Sequence, residues 1–577
     1  MQDMANVAQN LISSLEAQGV ERIYGLSGDS LNGLTDAVRV SKKLEWVHVR
    51  HEESAAFAAG AEAELTGKLT VCAGSCGPGN LHLINGLFDA QRSRVPVLAI
   101  AAHIPSEEIG SNYFQETHPQ ELFRECSVWA ELVSSPDQMP RLLRIAMQEA
   151  ISKRGVAVLV IPGDVALSDA VSNELALASE VIPRVIPADT DLRRAANLLD
   201  RGRKITILAG AGAAGAHDEL VALAGTLAAP IVHAMRGKDS IEYDNPFDVG
   251  MTGLLGFASG YRAMASADTL LMLGTDFPYQ QFYPDDAKII QVDVRGEQLG
   301  RRVQLDLGLI GTVKDTAAAL NGLVARKKDR GHLEDAQKHY RKTREKLDEL
   351  ATPSPKGKPL HPQYVAKLID EIASDDAIFI PDVGSPVIYA ARYLTMNGRR
   401  RILGSFSHGS MANAVPQAIG AQATFPKRQV ITMSGDGGVS MLLGDLITLV
   451  QEKLPVKVVV FNNSSLNFVE LEMKAAGFVD FGTDLVNPDF AKVAEAMGIK
   501  GYSVKNSADL EKTLREAFKH DGPALIDIPT GRQELTIPPK ITQEQLKGFA
   551  LYAIRTVLNG RGDELLDLAT TNWRQVF

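Results

Sequence analysis

Cysteine is nearly missing from this chain: Cys72, Cys76 and Cys126 are the only three among 577 residues. So sparse and odd a count excludes a disulfide-stapled scaffold and points to a reducing compartment. Cys72 and Cys76 stand four apart, but no His/Cys pair at zinc spacing accompanies them, so a zinc site is not expected. Long apolar runs are lacking too; none reaches the roughly 18 residues that a membrane-spanning helix needs. The N-terminal stretch MQDMANVAQNLISSLEAQG has neither a basic start nor an apolar centre, so no signal peptide is expected. No basic stripe interrupts a net charge of −10, which argues against nucleic acid as a partner. These absences lead to the expectation of a cytoplasmic protein that at most lies on a membrane.

What is present is ordinary globular material: 45% hydrophobic and 23% charged residues, enough for several cores and inconsistent with disorder. The length suggests about three or four domains. Three blocks alternate short apolar runs with helical patterns, the signature of parallel α/β domains. Strands are expected at 69–73, 97–100 and 156–161 in the first block. The second has 205–209, 269–273 and 288–293, and the third 377–380, 429–433, 456–461 and 524–528. Segment 166–192, rich in Ser, Asn, Pro and Asp, reads as a linker. The charged stretch 327–350 predicts a solvated helix, and the proline-rich 353–359 a second linker. The resulting division is 1–182, 183–335, 336–532 and a tail, 533–577. The first and third blocks are compatible with one shared fold despite having no detectable sequence identity.

Gly435-Asp436-Gly437 is followed after 24 residues by Asn462-Asn463, and each motif ends an apolar strand. A right-handed βαβ crossover brings both strand ends to one carboxyl edge, where open α/β sheets bind ligands. A carboxylate and an amide oxygen are hard donors suited to Mg²⁺ beside phosphate. The glycines admit backbone N–H groups to a diphosphate, and the helix start favours its charge. Alone, the glycine motif reads more readily as a turn with a capping Asn; the paired strand ends single it out. A second motif spans 50–60, where Glu52 stands among small apolar residues suited to close helix packing. A carboxylate there either has a partner or favours a helix start through the macrodipole. Gly210 to Gly215 is a formal GxGxxG, but no acid follows at about 20 residues and Asp239 is too late, so a standard NAD site is not expected.

Together these motifs resemble those of the thiamine-diphosphate-dependent enzymes. The resemblance implies an α/β fold of three doubly wound parallel-sheet domains (pyrimidine-binding, FAD-binding and diphosphate-binding) plus an amphipathic C-terminal tail. It implies Mg²⁺ on the Asp436 and Asn463 side chains and the Ser465 carbonyl. It implies thiamine diphosphate along Gly437, Gly438, Ser464, Leu466, Asn467, Phe468 and Val469, above Gly409, Ser410 and the apolar wedge Met411. Glu52 resembles the glutamate that hydrogen-bonds the aminopyrimidine ring. Such cofactors bridge domains of different subunits, so a homo-oligomer is implied, at least a dimer and often a tetramer.

Stretches 250–256, 274–279 and 290–293 resemble flavin-binding members, implying FAD on Thr252, Gly253, Leu254, Leu255, Thr275, Asp276, Phe277, Pro278, Tyr279 and Asp293. Stretches 76–86, 113–119, 244–246, 547–549 and 560–564 narrow the resemblance to the quinone-dependent pyruvate oxidases. That implies Phe114, Gln115, Phe468 and Glu472 at the substrate or between the two cofactors. The implied reaction decarboxylates pyruvate and passes two electrons through FAD to a membrane quinone, with water or phosphate as acetyl acceptor. An acetolactate synthase, which keeps FAD without redox turnover, is the alternative. In the tail, Leu546, Phe549, Ala550, Ala553, Val557 and Leu558 share one helical face, broadened by Leu551, Tyr552 and Ile554. Such a helix can lie in a lipid interface but not span it, and the resemblance implies peripheral attachment to the inner face of the cell membrane. Two departures stand out. His82 replaces a common Asn, which puts a side-chain role there in doubt. Asn467 replaces a common Gly, where a positive φ is expected to be tolerated.

Overall fold

Short aliphatic and β-branched runs, closed by glycine or turn residues, form three six-stranded parallel sheets in a computed structural model that describes residues 5–181, 183–532, 547, 551–553 and 555–556. The first sheet holds β1 (Arg22–Gly25), β2 (Glu45–His48), β3 (Thr70–Gly74), β4 (Val97–His103), β5 (Trp129–Leu132) and β6 (Val156–Pro162). Its order is β2-β1-β3-β4-β6-β5. The second holds β7 (Ile205–Ala209), β8 (Ile231–His233), β9 (Asp248–Met251), β10 (Thr269–Leu273), β11 (Lys288–Asp293) and β12 (Leu307–Ile310). Its order, β12-β11-β10-β7-β8-β9, reverses between β7 and β10, as in a doubly wound nucleotide-binding sheet. The third holds β13 (Ile378–Pro381), β14 (Arg401–Ile402), β15 (Val430–Gly435), β16 (Lys457–Asn462), β17 (Lys500–Ser503) and β18 (Ala524–Pro529). Its order, β14-β13-β15-β16-β18-β17, repeats that of the first sheet, so those two blocks do share a fold. β4 runs three residues past its expected end because Ala101 and Ala102 are also apolar and buried against β6.

Five helices position the site: α1 (Glu52–Thr66), α2 (Pro78–Ser93), α3 (Ala414–Thr424), α4 (Asp436–Met441) and α5 (Asn467–Ala475). The small residues of α1 serve close packing on two sides. A Cβ on Gly86 of α2 would stand 2.6 Å from the Ala56 Cβ, and one on Gly420 of α3 would stand 2.1 Å from the Ala58 carbonyl oxygen. One apolar core therefore runs from the first sheet through α1 and α3 into the third.

Three expectations need correction. The helix over the charged stretch, Gly331–Leu350, is not wholly solvated. Leu333 and Ala336 are buried and Tyr340 lies 6.2 Å from the Phe257 ring, a face of three apolar residues too thin to emerge from the charges around it. Segment 166–192 is not a free linker either. Its end begins the helix Asp189–Arg201, and its middle is tied to the helix Val7–Ala17 by Asn10 Nδ2 to the Glu174 carbonyl (3.0 Å) and Ala176 N to Ser14 Oγ (3.0 Å). The third concerns Asn467 and is taken up with the site. Segment 353–359 has no helix or strand, as expected. Among the described residues no helix is long and apolar enough to cross a membrane. The tail face built on Leu546, Phe549, Ala550, Val557 and Leu558 lies outside the described residues, as do Ile554 and stretch 560–564.

Candidate functional site

β15 and β16 are neighbours in parallel register, so Asp436 and Asn463 emerge together at the carboxyl edge of the third sheet. Asp436 opens α4 and is 2% exposed. Its Oδ1 accepts from Gly437 N at 3.0 Å; its Oδ2 accepts from Asn463 N (3.2 Å), Ser464 N (2.6 Å) and Asn487 Nδ2 (2.7 Å). Burial raises the carboxyl above its ordinary range and these donors offset part of the rise. Asn463 Oδ1 accepts from Ser465 N at 3.0 Å, and Ser465 Oγ donates to Glu470 at 2.5 Å. A carboxylate with amide and carbonyl oxygens, and no thiol, fits Mg²⁺. Asn487, which also donates to Asn462 Oδ1 at 2.9 Å, carries no motif and was missed in the sequence.

The two glycines after Asp436 are required by the protein itself as well as by any ligand. A Cβ at Gly437 would lie 2.8 Å from Leu466 and 3.3 Å from Met411, and one at Gly438 only 2.0 Å from the Asp382 carboxylate. Asp382 is 1% exposed, its Oδ1 has no partner, and burial pushes it up to about 7. The loop carrying Gly409, Ser410 and Met411 has left-handed backbone at Gly409 (φ 80°) and at Ala412 (φ 65°), where a side chain is strained. It is held from α2. Asn85 donates to Ser410 Oγ (2.8 Å) and to Glu53 (2.7 Å), while Asp89 accepts from Ser405 Oγ (2.7 Å) and Gln417 Nε2 (3.0 Å).

Glu52 begins α1, capped by His51, whose Nδ1 accepts from Glu53 N at 3.2 Å. It is 4% exposed and has the partner such a carboxylate requires: His82 Nδ1 lies 2.9 Å from its Oε2. A Cβ on Gly79 would stand 2.9 Å from Oε1, so glycine at 79 makes room for the carboxylate. Gln115 is brought to the same turn with φ at 63°; its Oε1 accepts from Cys76 Sγ at 3.3 Å and its backbone covers Gly77. Phe114 is 78% exposed.

The three stretches of the second domain converge. A Cβ on Gly253 would be 3.0 Å from Phe277 and 3.6 Å from Tyr279, and Gln291 Nε2 donates to the Thr275 carbonyl at 3.2 Å. Phe277 is itself buried in an aromatic cluster with Tyr279, Phe282 and Tyr283. Asp276 meets Arg94 of the first domain at 3.5 Å, and Asp293 accepts from Arg295 N at 2.9 Å. Thr252 Oγ1 and Arg295 Nη2 are buried without a partner among the described residues, which fits a polar ligand such as a flavin nucleotide. The formal GxGxxG is closed: Gly212 N donates to the Gly274 carbonyl at 2.9 Å, and Asp239 pairs with Arg401 at 2.7 Å. Burial first, and then the charge of Glu472 on α5, raise the Tyr279 hydroxyl above the ordinary range. Leu254 lines the aromatic side, while Leu255 and Phe468 join one apolar cluster.

Asn467 corrects an expectation. It is the first residue of α5, with no positive φ; the left-handed turn falls at Ser464 (φ 55°). Asn467 instead donates from Nδ2 to the Arg532 carbonyl at 2.6 Å. Beneath it lies a buried ion pair, Lys474 to Glu470 at 2.6 Å, with Arg532 on the other Glu470 oxygen at 2.8 Å. The described tail residues pack here: Tyr552 is 1% exposed with Lys474 Nζ 5.3 Å from its ring centre, Ala553 is half-buried and Leu551 exposed.

The chain matches the N-terminal TPP binding domain of thiamine pyrophosphate enzymes over residues 5–122, their central domain over 192–320 and their C-terminal TPP binding domain over 382–528. It is similar to YdaP of Bacillus subtilis, a candidate thiamine pyrophosphate-containing protein, at 37% identity over 97% of each chain. A pyruvate oxidase of Lactiplantibacillus plantarum is 30% identical over 91% of this chain and 89% of its own. An acetolactate synthase of Mycobacterium bovis is 31% identical over 91% of this chain and 88% of its own.

Proposed function

Because this chain belongs to the thiamine pyrophosphate enzymes, we propose that it oxidatively decarboxylates pyruvate to acetate and CO₂ and passes the electrons through FAD to a membrane quinone. The observation that carries this reading is the junction between α5 and the second domain. Phe468 and Leu255 pack against one apolar cluster and the charge of Glu472 acts on the Tyr279 hydroxyl, so a helix beside the Asp436 loop lies near the candidate flavin loops. An oxidase needs that adjacency for electron transfer.

When bound, thiamine diphosphate supplies the electron sink for loss of CO₂. In this reading Asp436, Asn463 and the Ser465 carbonyl hold Mg²⁺ against the diphosphate, and Gly437 and Gly438 admit it. Ser464, Leu466, Asn467 and Val469 shape that pocket, and Met411 supports the cofactor from the Gly409–Ser410 loop. Glu52 exchanges a proton with the aminopyrimidine. Phe114, Gln115, Phe468 and Glu472 orient pyruvate and exclude water. Thr252, Gly253, Leu254, Leu255, Thr275, Asp276, Phe277, Pro278, Tyr279 and Asp293 hold FAD. The chain divides at 182, 335 and 532, and by family habit it assembles as a homodimer at least and commonly a tetramer, in which a partner subunit would cover the exposed Phe114. The tail after 532 binds the lipid surface on the inner face of the membrane.

The carboligase reading is kept by the equal likeness to an acetolactate synthase. Product analysis separates the two. With quinone-bearing liposomes the full chain is expected to yield acetate and CO₂ in equal amounts; acetolactate as the main product would overturn the oxidase. A chain ending at residue 534 is expected to turn over with a soluble acceptor but to lose quinone reduction and liposome binding. Undiminished liposome binding by that variant would refute the role of the tail.

A further inference from the structure

His82 stands beside the most buried carboxylate of the first domain's helix start, Glu52. An ionised carboxylate as buried as Glu52 is stable only when donors face it. Its Oε2 has one in His82 Nδ1 at 2.9 Å, and its Oε1 lies over the space that Gly79 leaves open. The His82 ring is fixed from two sides. It stacks on His51, with centroids 4.3 Å apart and planes at 26°, and His51 is itself held by Glu53 N. The helix carrying it, α2, is tied to the third domain by Asn85 and Asp89, which stand three and seven residues on, along the same helical face.

We propose that His82 is a positioning residue for Glu52: it donates from Nδ1 to Oε2, keeps the buried carboxylate ionised, and leaves Oε1 as the oxygen offered to a cofactor ring nitrogen. The proposal rests on the reading of Glu52 as the cofactor's proton partner. Donation to a carboxylate requires a ring proton on Nδ1, and the ring is 45% exposed. Leucine at this place removes the donor. Asparagine keeps a donor at the distance of Nδ1 but does not titrate, so the pair separates hydrogen bonding from proton transfer by His82 itself.

The test has two readouts. In the cofactor-free protein at neutral pH, infrared difference spectroscopy of His82→Leu against wild type is expected to show an additional protonated-carboxyl band that Glu52→Gln removes, whereas His82→Asn against wild type shows no such gain. With thiamine diphosphate bound, hydrogen–deuterium exchange at the reactive ring carbon is expected to slow about tenfold or more in His82→Leu, part of the 10²–10⁴ typical of general acid–base catalysis. His82→Asn should stay within about threefold of wild type, and His82→Leu should add nothing in a Glu52→Gln background, because without the carboxylate His82 has no proton partner left to position. Wild-type exchange in His82→Leu, or equal slowing in the Glu52→Gln background, overturns the proposal. Wild-type exchange in Glu52→Gln alone overturns the reading of Glu52, and the proposal with it. If His82→Leu does not fold, His82→Ala with imidazole added in solution repeats the test, rescue by imidazole being the expected result and its failure the contrary one.

Discussion

Asp436→Ala is expected to abolish retention of thiamine diphosphate and Mg²⁺ while the three sheets still form. The variant removes the charged oxygen donor of the candidate Mg²⁺ site. It also removes the acceptor of Gly437 N, Asn463 N, Ser464 N and Asn487 Nδ2, so the loop that presents Asn463 and Ser465 loses its anchor. A fully buried donor left without a partner costs about 1–3 kcal/mol, and of the four only Gly437 N is fully buried, so the loss loosens the loop without unfolding a chain with three cores. Asp436→Asn isolates the charge: it keeps shape and one acceptor oxygen, and is expected to weaken Mg²⁺-dependent cofactor binding by about a hundredfold, or ~2.7 kcal/mol. Calorimetric titration with thiamine diphosphate and Mg²⁺ checks both variants. Wild-type affinity in Asp436→Ala would rule out this site. The same titration has a pH sign. Burial raises the Asp436 carboxyl in the metal-free protein, so the proton and Mg²⁺ compete for it and affinity falls as pH drops toward that raised value. By the same linkage, the stability that Asp436 contributes to the metal-free fold is present at low pH and declines as pH rises through the raised value.

Glu52→Gln is expected to keep both cofactors and the fold, yet to slow hydrogen–deuterium exchange at the reactive carbon of thiamine diphosphate by about 10²–10⁴. Glutamine matches glutamate in size, which matters where Gly79 leaves only a Cβ-sized space. It can still meet His82, but an amide carries no charge and does not take up a ring proton. Acid-quenched exchange followed by NMR measures the effect directly, and an exchange rate equal to wild type would remove Glu52 from proton transfer.

The parts of the fold that could be read in the sequence were those written along one strand or one strand end. Ile205–Ala209, Thr269–Leu273 and Lys288–Asp293 fall where the apolar runs put them, since strands buried on both faces are continuous apolar segments. Asp436 and Asn463 were legible because two adjacent strands end on one edge. Partners set by tertiary contact left no local trace: Asn487 on Asp436, His82 on Glu52, and Asn85 and Asp89 on the Met411 loop lie tens to hundreds of residues apart. The Gly331–Leu350 helix was misread because three packed residues were hidden in a charged surface, and Asn467 because the left-handed turn sits three residues earlier, at Ser464. The influence of Glu472 on Tyr279, which supports the oxidase reading, crosses two domains and has no pattern in either.

That reading is tested most directly by mixing the FAD-loaded protein with pyruvate in the absence of oxygen and any acceptor while following the flavin spectrum. The expected result is full bleaching of the oxidised flavin, with one CO₂ released per flavin reduced, and only when thiamine diphosphate and Mg²⁺ are both present. A flavin that stays oxidised while pyruvate is consumed would contradict the account and leave a carboligase in its place.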